Sequence, residues 1–481
     1  MYPKIRIQTS SDKTENIEYH IWYEYNQIDF VSYPKSISIF FFFRKYFGIY
    51  HIRFILESAG PNAQTNLKPT PEYMEKLTVS FSIFRDKLNV AFAKIHGIHL
   101  YDGNEFGSLL SPLLAVGMLL LGSKGDTDSQ IRKTAFAGWK FNDQNLDQPH
   151  LALLHLTKKI TRPYNEGNDI MSVENRFYIQ EGLALNKEYL FETAKYYRQN
   201  GGFIDFATPE AARTTINLWV REATYWSDIG DLLPKNSLSS LTKLVLASAV
   251  YFHGSWKYAF NPTLTQKHDF SISINKTKDK VQVDMMSQEG YFEFYKPNAA
   301  EVLRLNFSED RMSMFIILPD TEFGLLESFK YFDYKKYEYT KQVVHANIFV
   351  PKFEIQARYN FSETMPVAGI KDLFDKDQAN LSGISTVDQL FVNAMHQQAF
   401  IRVDEKGTDA AIAVGSVVNS RAGTKQFVCD HPFLFMIVEN TFGNVLFEGS
   451  VANPSIGMKD KKKKGSFLEI GRRLGLSIST M

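Results

Sequence analysis

A stretch of small residues between two strand-like blocks constrains this chain more than any other feature. Residues 403–427 read VDEKGTDAAIAVGSVVNSRAGTKQF, between the blocks QLFVNAMHQQAFIRV and HPFLFMIVENTFGNVLFEGSV. A hairpin connection has about two to five residues, whereas about twenty stand here. The fold must therefore accommodate a long connector that is almost free of bulky and charged side chains.

Side chains alternate along the start of this stretch. One parity carries Thr408, Ala410, Ile412, Val414 and Ser416, and the other carries Asp409, Ala411, Ala413 and Gly415. As a strand, the segment would therefore present one small or aliphatic face that tolerates burial. A flexible surface loop is the alternative, since Gly, Ala and Ser are common there. Adding about ten residues to a sheet, at ~0.5–1.5 kcal/mol net per hydrogen bond, would release ~10 kcal/mol, comparable to a domain's whole stability of ~5–15 kcal/mol.

Bulk composition excludes several classes of protein. The chain has 481 residues, 44% of them hydrophobic, so it can bury a sizeable core. The net charge of +1 gives no global attraction to nucleic acid or to an anionic membrane. Cys429 is the only cysteine, which excludes an internal disulfide and a cysteine-based metal site.

Three regions differ in character. Residues 1–71 are expected to form an atypical leader and linker that is disordered or contains a displaced signal-like segment. Their apolar run ISIFFFF, at 37–43, is far shorter than the roughly twenty apolar residues of a membrane-spanning helix. Residues 72–455 carry regular apolar patterns and form the folded domain. Residues 456–481 contain KDKKKKG and GRRLG without apolar periodicity, which is typical of a solvated, disordered tail.

Helical patterns come early in the folded domain and strand patterns late. LLSPLLAVGMLLLGSKG predicts a helix that Ser111 can cap and in which Pro112 suits the first position. LTKLVLASAVYFHGSW, VQVDMM, GYFEFYK, EVLRLNF and MSMFIILP read as strands. This segregation predicts an α+β architecture rather than alternating βαβ units.

We find no catalytic constellation. Nucleophile-elbow, phosphate-loop and HExxH motifs are all missing from the sequence, and the eleven histidines are scattered. His253, His396 and His431 stand in apolar stretches, where hydrogen-bonded core histidines are typical. We therefore expect no enzyme, no cofactor and no metal.

Several motifs in order resemble the serpin family. VDEKGTDAAIA is similar to its hinge, and FVCDHPFLFMIVENTFGNVLFEGSVANP to its C-terminal signature. LLSPLLAVGMLLLGSKG, LTKLVLASAVYFHGSWKYAFNP and IKDLFDKDQANLSGIS also fit. The resemblance covers residues 72–455. It implies three β-sheets, about nine helices and an exposed reactive-centre loop that serves as bait for a protease.

The resemblance also implies the cleaved bond. It lies sixteen residues beyond the hinge glutamate Glu405 and eleven before Pro432, and both counts give Arg421–Ala422. Lys425 is the other basic candidate. The residues of this sequence that match the family's hinge are Glu405, Gly407, Thr408, Ala410, Ala411, Ile412 and Ala413. Ile412 and Val414 are bulkier than the usual residues, so insertion is expected but slowed.

Departures occur where the central sheet must open. Ser111 fits the family's shutter serine, but the second serine is Leu114, the usual asparagine is Ser248, and the usual histidine aligns with Gln397, beside His396. A Ser248–Gln397 hydrogen bond would be one substitute for the missing network. Trp256 fits the tryptophan at the top of the sheet, where insertion begins.

The resemblance implies an inhibitor of a trypsin-like serine protease that forms a covalent complex. A non-inhibitory serpin with a carrier, storage or chaperone role is the alternative, and a polyanion-binding module acting through the KKKK tail is a third. We expect a secreted, extracellular monomer without nucleic-acid or membrane partners and leave a glycosaminoglycan partner open. Four sequons suggest a glycoprotein, at Asn275, Asn306, Asn360 and Asn380.

Overall fold

The computed structural model divides into two compact units, Met1–Lys68 and Pro69–Met481. It describes residues 6–11, 16–23, 26–28, 33–34, 37–46, 49–58, 69–96, 103–142, 145–160, 170–197, 202–224, 230–272, 279–322, 333–386, 389–406 and 424–456.

In its described residues, the first unit contains six strands. They are β1 (Arg6–Ser11), β2 (Asn16–Tyr23), β3 (Asn26–Ile28), β4 (Tyr33–Pro34), β5 (Ile37–Tyr46) and β6 (Ile49–Ser58). β1, β3 and β4 all pair with β2. β5 and β6 form an antiparallel hairpin, and β5 contains the apolar run at 37–43. The interpretation of residues 1–71 as a leader stays a prediction.

The second unit has eight α-helices in its described residues. They are α1 (Pro71–His96), α2 (Leu110–Leu120), α3 (Gly125–Ala135), α4 (Gln148–Ile160), α5 (Lys187–Tyr197), α6 (Pro209–Ala223), α7 (Tyr334–Thr340) and α8 (Phe361–Ala368). Every residue of α2 is buried, as expected of a helix that is apolar all round. Among the helices described, none combines the length and the apolar character needed to cross a membrane.

The described part of this unit also contains fourteen strands, which lie in two sheets. They are β7 (Glu105–Ser108), β8 (Ile170–Gln180), β9 (Gly202–Ile204), β10 (Leu244–His253), β11 (Gln266–Ile272), β12 (Asp279–Tyr295), β13 (Ala300–Asn306), β14 (Met312–Pro319), β15 (Gln342–Pro351), β16 (Phe353–Asn360), β17 (Ala394–Val403), β18 (Lys425–Val428), β19 (Phe433–Glu439) and β20 (Val445–Val451). The five-stranded sheet has the order β16-β17-β10-β8-β9. The nine-stranded sheet has the order β18-β15-β12-β13-β14-β19-β20-β7, with β11 beside β12.

The predicted α+β architecture is confirmed. Three sheets were expected, and two of them are joined by hydrogen bonds into the nine-stranded sheet. The joining element is the 17-residue strand β12, which pairs with β11 along its first part and with β13 along its last. VQVDMM and GYFEFYK, which read as two strands, are therefore parts of one.

Strand β10 lies at the centre of the five-stranded sheet and is buried on both faces. Val245, Ala247 and Ala249 pack in one apolar cluster together with residues of α6. Leu246 and Val250 belong to the main core, which includes α2. This alternation follows from the two-residue period of a strand. It places Ser248, which has the same parity as Leu246 and Val250, on the α2 side of the sheet.

Candidate functional site

The long connector joins the two sheets. It leaves the five-stranded sheet at the end of β17, Val403, and enters the nine-stranded sheet at the start of β18, Lys425. Residues 407–423 lie outside the described residues. The assignments that fall there, and stay predictions, are Gly407, Thr408, Ala410, Ala411, Ile412, Ala413, Arg421 and Ala422. The described site therefore consists of the two anchors and the sheet between them.

The hinge glutamate Glu405 anchors the start of the connector. It is 9% exposed. Its Oε1 accepts a hydrogen bond from Thr265 Oγ1 at 2.8 Å, and its Oε2 lies 2.7 Å from Lys352 Nζ. Burial acts to raise the pKa of Glu405, but the Lys352 and Thr265 hydrogen bonds outweigh it and hold the pKa below its usual value. An ionised Glu405 thus ties the hinge to the junction of β15 and β16.

Trp256 makes a second contact with the hinge. Its indole Nε1 donates to the carbonyl oxygen of Asp404 at 2.9 Å, and its backbone N–H donates to that of Lys406 at 3.4 Å. The indole is 3% exposed and stacks on Phe307, with ring centroids 4.8 Å apart. The predicted position of Trp256 at the end of the sheet where insertion begins fits these contacts, and core packing is part of the same role.

The end of the connector is anchored by strand pairing. β18 pairs in parallel with β15, from Ala346–Lys425 to Phe349–Val428. Lys425 Nζ lies 2.5 Å from Glu301 Oε1 and 4.8 Å from the centroid of the Phe294 ring. An ion-paired lysine in a strand is poorly suited to enter a protease's specificity pocket. The structure therefore argues against Lys425 as the bait residue.

The directions of β10 and β17 determine how a strand added between them would run. β10 and β17 are parallel neighbours over eight residue pairs, from Val245–Ala394 to Phe252–Ile401. A segment that leaves β17 at Val403 and folds back beside it runs antiparallel to β17. Because β17 and β10 are parallel, the same segment is antiparallel to β10 as well. One parallel ladder would then be replaced by two antiparallel ladders, whose pairing is the more stable per residue.

A buried hydroxyl–amide cluster joins α2 to this sheet. The Oγ atoms of Ser111 and Ser248 both donate to Asn175 Oδ1, the first at 3.1 Å. Ser111, Ser248 and Asn175 are all at most 3% exposed. The sequence placed the two serines in the shutter but missed Asn175, a residue of β8. A polar residue on the buried face of the run NRFYIQ was the only signal for it.

The expected hydrogen bond between Ser248 and Gln397 is not formed. The two residues are opposite each other in the β10–β17 register. However, Gln397 Oε1 accepts from the backbone N–H of Ser108 at 3.0 Å, and its Nε2 donates to the Ser108 carbonyl at 3.2 Å. This two-fold contact ties β17 to β7.

Burial, aided by Arg358, lowers the pKa of the adjacent His396 to about 4, so that imidazole is neutral at pH 7.

Comparisons with known proteins identify the family. A family model described as serpin (serine protease inhibitor) matches residues 89–454. Human leukocyte elastase inhibitor is 32% identical over 369 residues, which are 73% of this chain and 93% of that protein. The chain belongs to the serpin family.

Two further serpin comparisons agree. Human plasminogen activator inhibitor 2 is 32% identical over 341 residues, which are 68% of this chain and 80% of that protein. The solved structure of uncleaved ovalbumin matches with a TM-score of 0.68 and 28% identity, over 80% of this chain and 100% of that one. The family's description is that of inhibitors of serine proteases rather than of enzymes.

Three of the sequons of this serpin lie in the described residues, and Asn275 lies outside them. Asn380 is exposed. Asn306 is half-buried and accepts a hydrogen bond from Ser313 Oγ at 2.9 Å. The Asn360 amide donates to Glu363 at 2.7 Å. Glycosylation stays a prediction, for which Asn380 is the most accessible of the three.

Cys429 and His431 could take part in chemistry but have structural roles here. Cys429 is 0% exposed, and burial raises the pKa of its thiol well above the usual value. The two ring nitrogens of His431 lie 2.8 Å from Asp430 Oδ1 and 2.9 Å from the carbonyl oxygen of Pro319. Within the described ranges, no group of three His, Cys, Asp or Glu residues is placed to hold a metal ion.

Proposed function

We propose that this chain is an inhibitory serpin that acts as a suicide substrate of a trypsin-like serine protease. The observation that carries the proposal is the direct parallel pairing of β10 and β17, with the connector held outside that sheet at both ends. A spare strand with this topology has one favourable destination, between β10 and β17. The composition of residues 408–416 suits that destination.

The proposed cleavage site is the Arg421–Ala422 bond. The protease serine Oγ bonds to the Arg421 carbonyl carbon, the bond to the Ala422 nitrogen breaks, and that nitrogen takes up a proton. An arginine side chain fits a specificity pocket that carries a carboxylate, as in trypsin. The product is an acyl-enzyme in which the protease is attached to the end of the freed segment.

Insertion of that segment would then trap the enzyme. The sixteen residues from Glu405 to Arg421 extend over about 50 Å at ~3.3 Å per residue. An acyl-enzyme carried over that distance is pressed against the far end of the sheet, where its catalytic geometry is distorted and deacylation stops. Ile412 and Val414 are apolar but bulkier than neighbouring alanines, so they slow entry without preventing it.

The names of two relatives support an inhibitory role. Leukocyte elastase inhibitor and plasminogen activator inhibitor 2 are both named as inhibitors of proteases. The alternative is a non-inhibitory serpin with a carrier, storage or chaperone role. The hinge favours inhibition over this alternative, since prolines and bulky charged residues are missing from positions 407–416 apart from Asp409. We further propose a secreted, extracellular and glycosylated monomer.

The test is incubation of the full chain with trypsin, followed by boiling in SDS and electrophoresis. We expect a covalent complex of the two proteins and loss of trypsin activity. Arg421→Glu abolishes the complex, because an acidic side chain is repelled by the carboxylate of the pocket. The matched control Lys425→Gln retains it. Cleavage at Arg421 with trypsin left fully active would establish the non-inhibitory alternative instead.

A further inference from the structure

A small cavity lies apart from the two loop anchors, beside the contact between Gln397 and Ser108 that joins β17 to β7. It has a volume of about 50 Å³ and is lined by residues of α1, β7, β20, β16, β17 and the start of α8. The lining residues that matter are Asn89, Phe92, Glu105, Tyr359, Phe361 and Glu448. At ≳10–15 Å³ for each water-sized sphere, this space admits a few atoms beyond hydrogen.

Three aromatic rings form one side of the cavity. Phe92 meets Tyr359 and Phe361 edge-on, with ring centroids 5.4 and 6.0 Å apart. Tyr359 and Phe361 are stacked at 6.2 Å. Ring faces carry negative electrostatic potential, and groups of such rings attract ammonium and guanidinium ions. This wall therefore favours a cation over a neutral molecule of the same size.

The polar groups of the cavity are unevenly satisfied. Glu105 Oε2 accepts a hydrogen bond from the Tyr359 hydroxyl at 2.8 Å. In contrast, Glu448 Oε2 and Asn89 Nδ2 are buried and make no hydrogen bond of good geometry, although the Asn89 amide is close enough to Glu448 to stabilise its charged form. A buried carboxylate whose nearest donor is a strained neutral amide is costly, and a cation with N–H donors compensates for its charge.

The strand register creates the space. In the β7–β20 pair, Glu448 is opposite Gly107. A Cβ atom at position 107 would come within 3.1 Å of the Tyr359 ring, so a side chain there would press on the aromatic wall. Glycine at this position thus allows the ring and the Glu448 carboxyl group to share one cavity.

The charges around Glu448 leave room for a further positive group beside its carboxylate. Burial raises the pKa of Glu448 to about 7, Asp86 adds to the rise, and Arg85 and Asn89 act against it. Arg85 is itself engaged with Asp86, 3.3 Å away. The charge of the carboxylate is therefore only partly compensated by the chain's own residues.

We propose that this cavity binds a small organic cation of the guanidinium or alkylammonium class, held by the Glu448 carboxylate and by the faces of Phe92, Tyr359 and Phe361. Binding at this site does not depend on the inhibitory function. Because the cation must pair with an ionised carboxylate, it binds more tightly as pH rises.

The experiment is saturation-transfer NMR on the full chain with methylguanidinium, against N-methylurea as a neutral ligand of the same shape. At pH 8 we expect saturation transfer to methylguanidinium and at least tenfold less to N-methylurea. Binding at pH 6 should be about tenfold weaker, since a carboxyl group with a pKa of about 7 is then mostly protonated.

Three variants locate the site. Glu448→Gln keeps the shape of the side chain and should weaken binding at least tenfold. The control Glu75→Gln removes an exposed charge at the other end of α1 and should stay within twofold of wild type. If Glu448→Gln does not fold, as judged by its thermal melt, Phe92→Leu serves instead and should weaken binding several-fold. Three results would each contradict a cation site here: equal transfer to both ligands, no transfer at 20 mM (a concentration on the order of a weak Kd), or unchanged binding in Glu448→Gln or Phe92→Leu.

Discussion

Replacing Glu405 by glutamine should loosen the hinge of the long connector without unfolding the protein. The Glu405–Lys352 pair is 2.7 Å long, and its side chains are only 11% and 22% exposed. Removing one partner of a buried, hydrogen-bonded charge pair costs about 2–5 kcal/mol, and the remaining solvent contact places this pair near ~2 kcal/mol. At 1.4 kcal/mol per factor of ten, local opening of the hinge should increase about 30-fold.

Amide hydrogen exchange measures this opening directly. The Trp256 amide, which donates to the Lys406 carbonyl, should exchange about 30-fold faster in Glu405→Gln. The control is Asp284→Asn, which breaks an exposed pair with Lys267 whose side chains are 41% and 65% exposed. Such pairs are worth less than about 1 kcal/mol, so exchange at Trp256 should stay within a few-fold of wild type. A change below threefold in Glu405→Gln would refute the anchor.

The same anchor should weaken in acid. The pKa of Glu405 is held below its unfolded value of 4.5 by its hydrogen bonds in the folded chain. A depressed carboxyl pKa gives stabilisation that is present above the unfolded pKa and is lost as pH falls through the folded pKa. Exchange at Trp256, corrected for the intrinsic pH dependence, should therefore rise below about pH 4.5 in wild type and change less in Glu405→Gln.

Two further perturbations test the core around the sheet. Asn175→Ala leaves the buried Ser111 and Ser248 hydroxyls without their acceptor and should lower the free energy of unfolding by about 3 kcal/mol in urea, against about 1 kcal/mol for Ser248→Ala, which leaves the Ser111 bond in place. Equal losses would show that Asn175 is not the shared acceptor. The pKa of His431 is raised, because its hydrogen bonds to Asp430 and to a carbonyl outweigh the effect of burial. Its stabilisation is therefore complete below the unfolded pKa and is lost as pH rises through the folded pKa. Unfolding measured from pH 6 to 8 should show this loss in wild type and not in His431→Phe.

The sequence predicted the parts of the site that depend on local patterns. Glu405 and Trp256 were located from short motifs, and their contacts with Lys352 and the Asp404 carbonyl place them where the connector leaves the sheet. Strand β10 was readable because its run of apolar residues is buried on both faces. These features depend on residues close together in the chain.

The hydrogen bonds that were not predicted from the sequence join segments that are distant in the chain. Ser111 was expected to cap α2, but its hydroxyl bonds to Asn175 of β8, while Ser108 Oγ accepts from the Ser111 N–H at 3.1 Å. A Ser248–Gln397 hydrogen bond was expected as one substitute for the family's network, but Gln397 instead bonds to the Ser108 backbone, 289 residues away. Propensity and spacing carry no information about which distant polar group completes a buried hydrogen bond.

The most direct test of a spring-loaded serpin is the thermal melt of the chain before and after limited trypsin treatment. If residues following Glu405 enter between β10 and β17 once the connector is cut, about ten new strand residues should add ~10 kcal/mol, and the nicked protein should melt far above the intact one. A nicked protein that melts at the same temperature as the intact one, or lower, would contradict strand insertion and with it the inhibitory mechanism.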